Sequence, residues 1–156
     1  MRKLTMLFVA VGIAAIVAAC SSSGSSPSAS AASSAAAGGG SDLTGKTWKL
    51  TGITEKVPAF QGVVPAADQA NYTIEFKADG TFAAKADCNQ VSGTYTTTPT
   101  GGLTIVLGPS TMAACPPESL APQYVTGLGN AASYAISGSD LTITLKDEGT
   151  LVFTSA

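Results

Sequence analysis

The sequence is poor in the side chains that most enzymes and nucleic-acid-binding proteins depend on. It has no histidine among 156 residues, and its single arginine is Arg2. The lack of histidine excludes mechanisms that need imidazole as a general base or metal ligand, and the rest of the chain has no guanidinium to clamp a phosphate or carboxylate. After residue 20 there are ten acidic residues against six lysines, whereas a nucleic-acid partner needs a basic surface. We therefore expect no nucleic-acid partner.

The N-terminus has the pattern of an export signal. After a basic start, Leu4 to Ala19 is an apolar stretch of sixteen residues, which is short for a helix that must span a bilayer. Such a stretch, ending in small residues, is typical of a secretory signal peptide. Its end, Val17-Ala18-Ala19-Cys20, resembles the lipobox of bacterial lipoproteins, in which the cysteine thiol receives a diacylglycerol and the peptidase cuts just before that cysteine.

We therefore expect residues 1–19 to be a lipoprotein signal peptide. Lipidation of Cys20 would place the protein outside the cytoplasm, anchored to a bacterial membrane through two or more acyl chains. The alternatives are an ordinary signal peptide cleaved after Ala19 and an uncleaved anchor.

The next segment has a composition that does not support folding. Ser21 to Gly40 contains nine serines, six alanines, four glycines and one proline, so it cannot bury enough apolar surface to offset its ordering entropy. A flexible coil of this length spans about 25 Å on average. We expect residues 20–41 to be a disordered tether that begins with the lipidated Cys20, and residues 42–156 to be the folded domain.

The folded part alternates apolar and polar residues in short runs, which predicts β-strands. Asp79-Gly80 between two such runs predicts a β-hairpin. The strand-forming runs are Trp48-Leu50, Tyr72-Phe76, Phe82-Ala86, Val91-Thr98, Leu103-Leu107, Tyr134-Ile136, Leu141-Leu145 and Leu151-Phe153.

One segment has helical spacing instead. Leu120, Tyr124 and Leu128 recur every four residues, which predicts a helix of about ten to thirteen residues with Ser119 as its N-cap and Pro122 in its first turn. The fold class is therefore α+β: a curled, mostly antiparallel, barrel-like sheet of about seven to eight strands with one covering helix.

Several motifs together resemble the META domain, the HslJ-like family of bacterial envelope and heat-shock proteins. The resemblance covers essentially all of residues 42–156, and its motif positions in this chain include Trp48, Asn89, Gly93, Tyr95 and Thr111. The segments that carry it are Leu43-Thr44-Gly45-Lys46-Thr47-Trp48-Lys49-Leu50, the hairpin from Phe76 to Phe82, Cys88-Asn89 with Gly93-Thr94-Tyr95, Ser110-Thr111-Met112-Ala113-Ala114-Cys115-Pro116-Pro117, and the final strands from Tyr134 to Phe153.

The resemblance implies a barrel-like sheet with a helix, often at the cell envelope. Members are linked to stress tolerance, motility or secretion, without an agreed catalytic activity. Two departures matter here: Asp87 stands where the family usually has glycine, and Met112-Ala113 replaces the common Arg-Met order. If that arginine binds a ligand in relatives, this chain lacks it.

Cys88 and Cys115 are the cysteines that remain once Cys20 is lipidated. Outside the cytoplasm two such thiols most often form a disulfide, and we predict this bridge. A redox pair is the alternative, but the sequence has no Cys-x-x-Cys and no histidine to lower a thiol pKa. A metal site would need carboxylates to complete the ligand set, and free thiols are the remaining possibility.

Other candidate residues have structural interpretations that compete with functional ones. The amide of Asn89 could bind a ligand, but an Asx turn or a left-handed backbone is the more common use. Gly93 predicts a bulge or a close backbone approach, and Tyr95 predicts packing. Ser110-Thr111 could hold an activated hydroxyl, but no Ser-x-x-Lys occurs in the folded part.

The acidic turns could suggest calcium binding. They fit no EF-hand loop, and each lies where a hairpin turn is expected, so we assign them to turn chemistry and expect neither metal nor cofactor. The residues are Asp79, Asp140, Asp147, Glu148 and Gly149.

The segment from Val57 to Val64 is the strongest candidate for a partner site. It lies within a long connection, residues 53–71, for which neither strand nor helix is predicted, and it carries Val57, Phe60, Val63 and Val64. These side chains either cover an end of the barrel or form an exposed patch of the kind that marks partner sites.

The function that we expect from the sequence is that of a lipid-anchored, non-catalytic envelope protein with a binding or stress-related role and a possible envelope protein partner. One alternative is a small-ligand barrel, which needs an interior cavity. The other is a hydrolase that uses lysine or carboxylates.

Overall fold

The computed structural model of the protein describes residues 42–156. The predicted signal peptide, the lipidation of Cys20 and the tether lie outside these residues. Within residues 42–156 there are nine β-strands, one α-helix and a short 3-10 helix. Their bounds are β1 Thr47–Lys56, β2 Ala59–Val63, the 3-10 helix Gln69–Asn71, β3 Tyr72–Phe76, β4 Thr81–Ala86, β5 Asn89–Thr97, β6 Leu103–Ser110, α1 Ala121–Gly129, β7 Ala131–Ser137, β8 Asp140–Leu145 and β9 Thr150–Ser155.

All nine strands belong to one antiparallel sheet. The main path runs β6-β5-β4-β3-β1-β9-β8-β7, and β2 pairs with β1 beside this path. The two ends of the path meet, because Gly102 forms a bridge to Ser133 and the Tyr134 backbone N–H donates to the Gly101 carbonyl at 2.8 Å. The sheet is therefore curled, and the predicted α+β class is confirmed.

The inward positions of the strands carry the core. Trp48 in β1, Ile74 and Phe76 in β3, and Phe153 in β9 are at most 1 % exposed, since successive side chains point to opposite faces of a strand. The Trp48 indole N–H is satisfied inside this core by the Leu43 carbonyl at 2.9 Å. Within residues 42–156, every buried side chain of the core is apolar or aromatic.

Helix α1 packs across one opening of the curled sheet. Tyr124 and Leu128 are fully buried, and the Tyr124 hydroxyl donates to the Thr73 carbonyl at 3.0 Å. Its ring meets Tyr72 edge to face, with 6.2 Å between centroids. Burial raises the pKa of Tyr124 well above its usual range, so this hydroxyl stays neutral.

The helix is shorter than predicted and begins differently. It has nine residues, and its N-cap is Leu120, which makes no side-chain capping bond. The Ser119 hydroxyl, one residue before this N-cap, still accepts from the Ala121 backbone N–H at 3.2 Å. The helix ends at Gly129 because the N–H of Asn130 closes the last turn and β7 starts at Ala131. No helix within residues 42–156 combines the length and apolarity needed to cross a membrane.

The prediction of a long connection over residues 53–71 is wrong at its start. β1 continues to Lys56, and a two-residue turn at Val57-Pro58, joined by a cis peptide bond, reverses the chain into β2. β2 then pairs with β1 from Lys56–Ala59 to Gly52–Val63. The strand lies on the same edge of β1 that β3 occupies further back, at Thr47 to Lys49. The sheet therefore splits, with β2 and β3 diverging from one edge.

Candidate functional site

A disulfide and one asparagine fasten the loop that leads to α1. Cys88 and Cys115 are joined, with 5.5 Å between their Cα atoms. Beside them the Asn89 side-chain carbonyl accepts from the Ala113 backbone N–H at 2.7 Å and from the Thr111 hydroxyl at 3.1 Å. Its amide donates to the Ala113 carbonyl at 3.1 Å. The asparagine thus supports the loop from inside, a role closer to the structural interpretation than to ligand binding.

The left-handed residue of this turn is Asp87, two positions before Asn89. Its φ is +57°, a region in which glycine is unstrained and aspartate is tolerated. Glycine could therefore take this position without strain. Asp87 places a carboxylate next to the disulfide-bonded Cys88.

Gly93 and Tyr95 shape the strands under the loop. The pairing of β5 with β6 shifts register between Val91 and Gly93, and a Cβ on Gly93 would overlap the Val106 carbonyl oxygen. The Tyr95 ring packs edge to face on Phe76 at 4.8 Å between centroids. Its hydroxyl donates to the Lys77 carbonyl at 2.8 Å. Both residues act through packing.

The candidate partner segment divides between the two roles considered for it. Val64 is 2 % exposed and Phe60 packs against the core, so these two cover the interior. Val57 and Val63 are 81 % and 74 % exposed. Within β2 the difference between Phe60 and Val63 follows from strand geometry, because neighbouring side chains point to opposite faces, whereas Val57 lies in the preceding turn.

One surface groove begins where β2 and β3 diverge. It consists of two adjoining depressions of about 380 Å³ and 290 Å³ that share Pro116 and Ser119 in their walls; we call it the Pro116 groove. Leu120 and Tyr72 line the first depression, and the Leu120 backbone N–H donates to the Tyr72 hydroxyl at 3.1 Å. Cys115 and Asn89 line the second. The groove therefore has a wall held in place by the disulfide.

Carboxylates surround the first depression. Asp68, Asp87 and Glu118 all line it, while the Lys85 ammonium, on the neighbouring strand, donates to the Asn71 side-chain carbonyl at 2.8 Å. Charge at the rim of a binding surface steers oppositely charged partners. The groove combines apolar proline and leucine surface with an acidic rim, which suits a segment that is both apolar and basic.

Sequence reasoning missed most of this groove. It identified Val63, Val64, Asn89 and Cys115, but gave no role to Asp68, Tyr72 or Glu118 in binding. These residues come from separate stretches and become neighbours through the curl of the sheet. The adjacent prolines at 116 and 117 are the one local signal that a rigid, exposed wall follows the disulfide.

The hydroxyls and acidic turns are engaged in local structure. The Thr111 hydroxyl accepts from the Gln90 backbone N–H at 2.9 Å, so it is engaged in local structure. No side chain buried within residues 42–156 is charged. Asp79 accepts from the Thr81 hydroxyl at 2.6 Å and from its backbone N–H at 2.9 Å, and these bonds lower the pKa of Asp79. Burial raises the pKa of Asp147, but backbone N–H donors, Gly149 foremost, lower it overall.

The described part of the chain has no group of three or more Cys, Asp or Glu side chains placed to hold a metal ion. Asp79 and Asp147 are instead turn residues, each accepting from the backbone two positions ahead at Thr81 and Gly149. Glu148 has a left-handed backbone, with φ of +62°.

Comparison with family models identifies this curled antiparallel sheet with one α-helix as a known domain. The model of the META domain matches residues 41–156. The chain belongs to the META domain family.

Solved structures share the fold. A protein from Burkholderia xenovorans, known from an NMR structure, is 21% identical with a TM-score of 0.60, covering 74% of this chain and 85% of its own. A DUF4847 family protein from Bacteroides vulgatus is 18% identical with a TM-score of 0.51, covering 72% and 93%. A further NMR structure gives 20% identity and a TM-score of 0.55, covering 73% and 92%. No curated protein matches the chain.

Proposed function

We propose that this protein is a lipid-anchored META domain that works outside the cytoplasm as a non-catalytic binding module for an envelope protein, in an envelope- or stress-related role. The observation that carries the proposal is the contrast between interior and surface. The interior is filled by aromatic and aliphatic side chains such as Trp48, Phe82 and Phe153. The polar and charged groups that could recognise another molecule are on the outside, and three of the carboxylates, Asp68, Asp87 and Glu118, line the Pro116 groove.

Export is supported by two independent features. The sequence begins with a signal-like segment that ends in Ala18-Ala19-Cys20. The folded domain contains the Cys88–Cys115 disulfide, and such bonds persist in oxidising compartments outside the cytosol. A tether of about twenty small residues would let the groove reach a partner some tens of ångströms from the bilayer.

The two alternative functions lack the features that would favour them. A small-ligand barrel needs a cavity inside the sheet, but the core positions facing that space are occupied by bulky side chains. A lysine-dependent hydrolase needs a lysine desolvated beside a nucleophile, and within residues 42–156 no lysine is buried. Binding at the surface is the function that the geometry supports best.

The first test concerns the anchor. Cys20→Ser removes the thiol that accepts the lipid, so we expect the variant to leave the membrane fraction, whereas the parent chain stays there because two acyl chains hold it. Fractionation of cells and mass spectrometry of the mature N-terminus measure this. An unmodified Cys20 in the parent would contradict anchoring by lipid, as would membrane retention of Cys20→Ser chains whose leader has been cleaved.

The second test concerns the groove. A photo-crosslinking amino acid at position 118, in the groove wall, should give a discrete adduct with one envelope protein in living cells. The matched control is position 75, since Glu75 is also an exposed glutamate but lies in β3 outside the groove. Adducts that are identical from both positions, or absent from position 118, would count against the groove.

A further inference from the structure

Strand β2 leaves one edge of the sheet open. Within residues 42–156 it pairs with β1 alone, while the two ends of the main path, β6 and β7, are joined at Gly102–Ser133. Open edges present backbone donors and acceptors that can pair with another strand. Proteins often protect them with charged residues, but Ala59-Phe60-Gln61-Gly62-Val63 contains none.

Hydrogen bonds fix which backbone groups face outward. The Val64 N–H donates to the Thr51 carbonyl at 3.0 Å, so Val64 faces β1. Backbone groups two residues apart in a strand point the same way, so Phe60 and Gly62 also face β1. The direction of the Lys56 backbone N–H is consistent with this assignment, because it points away from β2 and donates to the Asp147 carboxylate at 3.4 Å. Ala59, Gln61 and Val63 therefore direct their backbone groups to the open edge.

These three outward residues form a self-complementary set. In antiparallel pairing about a two-fold axis at Gln61, Gln61 meets itself and Ala59 meets Val63 of the other copy. All three resulting pairs are of the hydrogen-bonded type, which allows about six backbone bonds. The side chains of Ala59, Gln61 and Val63 are exposed, so no core residue has to move.

Charge does not oppose this pairing. In β1, Thr54 pairs with Gln61 and Gly52 pairs with Val63. The residues that would lie near the two-fold axis in both copies are therefore uncharged. The nearest basic residue is Lys56 of β1, which pairs with Ala59. In the dimer Ala59 would lie between Lys56 and Val63 of the second copy. No like charges are brought opposite each other, and the amide of each Gln61 can bond the other.

We infer that two copies of this chain associate through β2, by antiparallel pairing centred on Gln61, into a continuous two-domain sheet. The partner is a second copy of this chain, because residues Ala59–Val63 can pair with the same five residues of another copy. In that pairing every outward backbone N–H and C=O has a partner. A short strand pair buries little surface, so the dimer is weak in solution. This step rests on the proposed lipid anchor, which would confine both copies to one membrane, raise their effective concentration and favour the dimer. The inference concerns the β2 edge, and Val63 is the residue of that edge that also lines the Pro116 groove.

Cysteine cross-linking of the full-length protein in membranes tests the register. Across a hydrogen-bonded antiparallel pair the Cα atoms lie about 5.5 Å apart, within the range of a disulfide. Gln61→Cys should therefore form a covalent dimer on mild oxidation. Ala59→Cys should not, because the two copies of residue 59 would be about 14 Å apart, but Ala59→Cys mixed with Val63→Cys should cross-link.

We expect Gln61→Cys to exceed Ala59→Cys by roughly tenfold or more in dimer yield, because only the Gln61→Cys pair lies within the range of a disulfide. No dimer from Gln61→Cys overturns the inference, as does an equal yield from all three positions, which would indicate random collision. A Gln61→Cys adduct with a different protein in place of the self-dimer would also overturn it.

Charge exchange gives a second, independent measurement. Gln61→Lys and Gln61→Glu each place like charges opposite each other on the axis and should each abolish dimers detected by chemical cross-linking of the full chain. Mixing the two variants should restore them. Both substitutions lie at an exposed position, so melting temperatures should match that of the parent, and the failure of the mixture to recover would contradict the pairing.

Discussion

Replacing Cys88 and Cys115 together by alanine should lower the free energy of unfolding by about 3.5 kcal/mol, because the bridge closes a loop that costs the unfolded chain entropy. The two cysteines are 27 residues apart. Urea unfolding followed by the fluorescence of Trp48 measures the change, since this tryptophan is fully buried.

The control for this prediction is the reductant itself. The parent chain should lose stability when reduced, and the double variant should not respond, because it has no bridge in the folded domain. Equal urea midpoints for the parent and the variant would contradict a stabilising role. The loop held by Asn89 should also loosen, which would appear as faster amide exchange at Ala113, whose N–H bonds Asn89 at 2.7 Å.

Gly93→Ala should cost about 3 kcal/mol, at the upper end of what overpacking costs. The new Cβ would overlap the Val106 carbonyl oxygen, which belongs to the backbone, and would lie 2.7 Å from the Phe82 ring. Neither the strand pair nor the buried ring can shift without disturbing the core. Thermal and urea unfolding report the loss.

Gly52→Ala is the matched control for Gly93→Ala. Gly52 also lies in a strand next to a register shift, but the nearest atom to its Cβ would be the Gly62 carbonyl oxygen at an ordinary 3.6 Å. Alanine there should be neutral or stabilising by up to about 1 kcal/mol, because glycine loses more backbone entropy on folding. A similar loss at both positions would show that close approach is not what selects glycine at 93.

The elements that the sequence predicts well are those with strong local signals. Asp79-Gly80 between alternating runs gives the β3–β4 hairpin, with Phe76 paired to Phe82. The four-residue spacing of Tyr124 and Leu128 gives α1, and both are buried. In each case the local pattern and the global fold agree, so the signal is not overridden by packing.

Strand β2 was missed because its local signal is weak and in part contrary. Ala59 and Gly62 have low strand propensity, and Pro58 precedes them in the turn. The strand forms because β1 extends beyond its predicted end and offers Gly52 to Lys56 as a template. The Pro116 groove was missed for a different reason, since it depends on where β2 and β3 diverge, which no local pattern encodes.

The groove is assembled from stretches that are distant in the chain: the end of β2, the start of β3, the turn at Asp87 and the segment before α1. None of these pieces contains the shape by itself. A molecule that recognises the groove would therefore bind best to chains that have folded completely and formed the Cys88–Cys115 bond, and less well to reduced or partly folded chains.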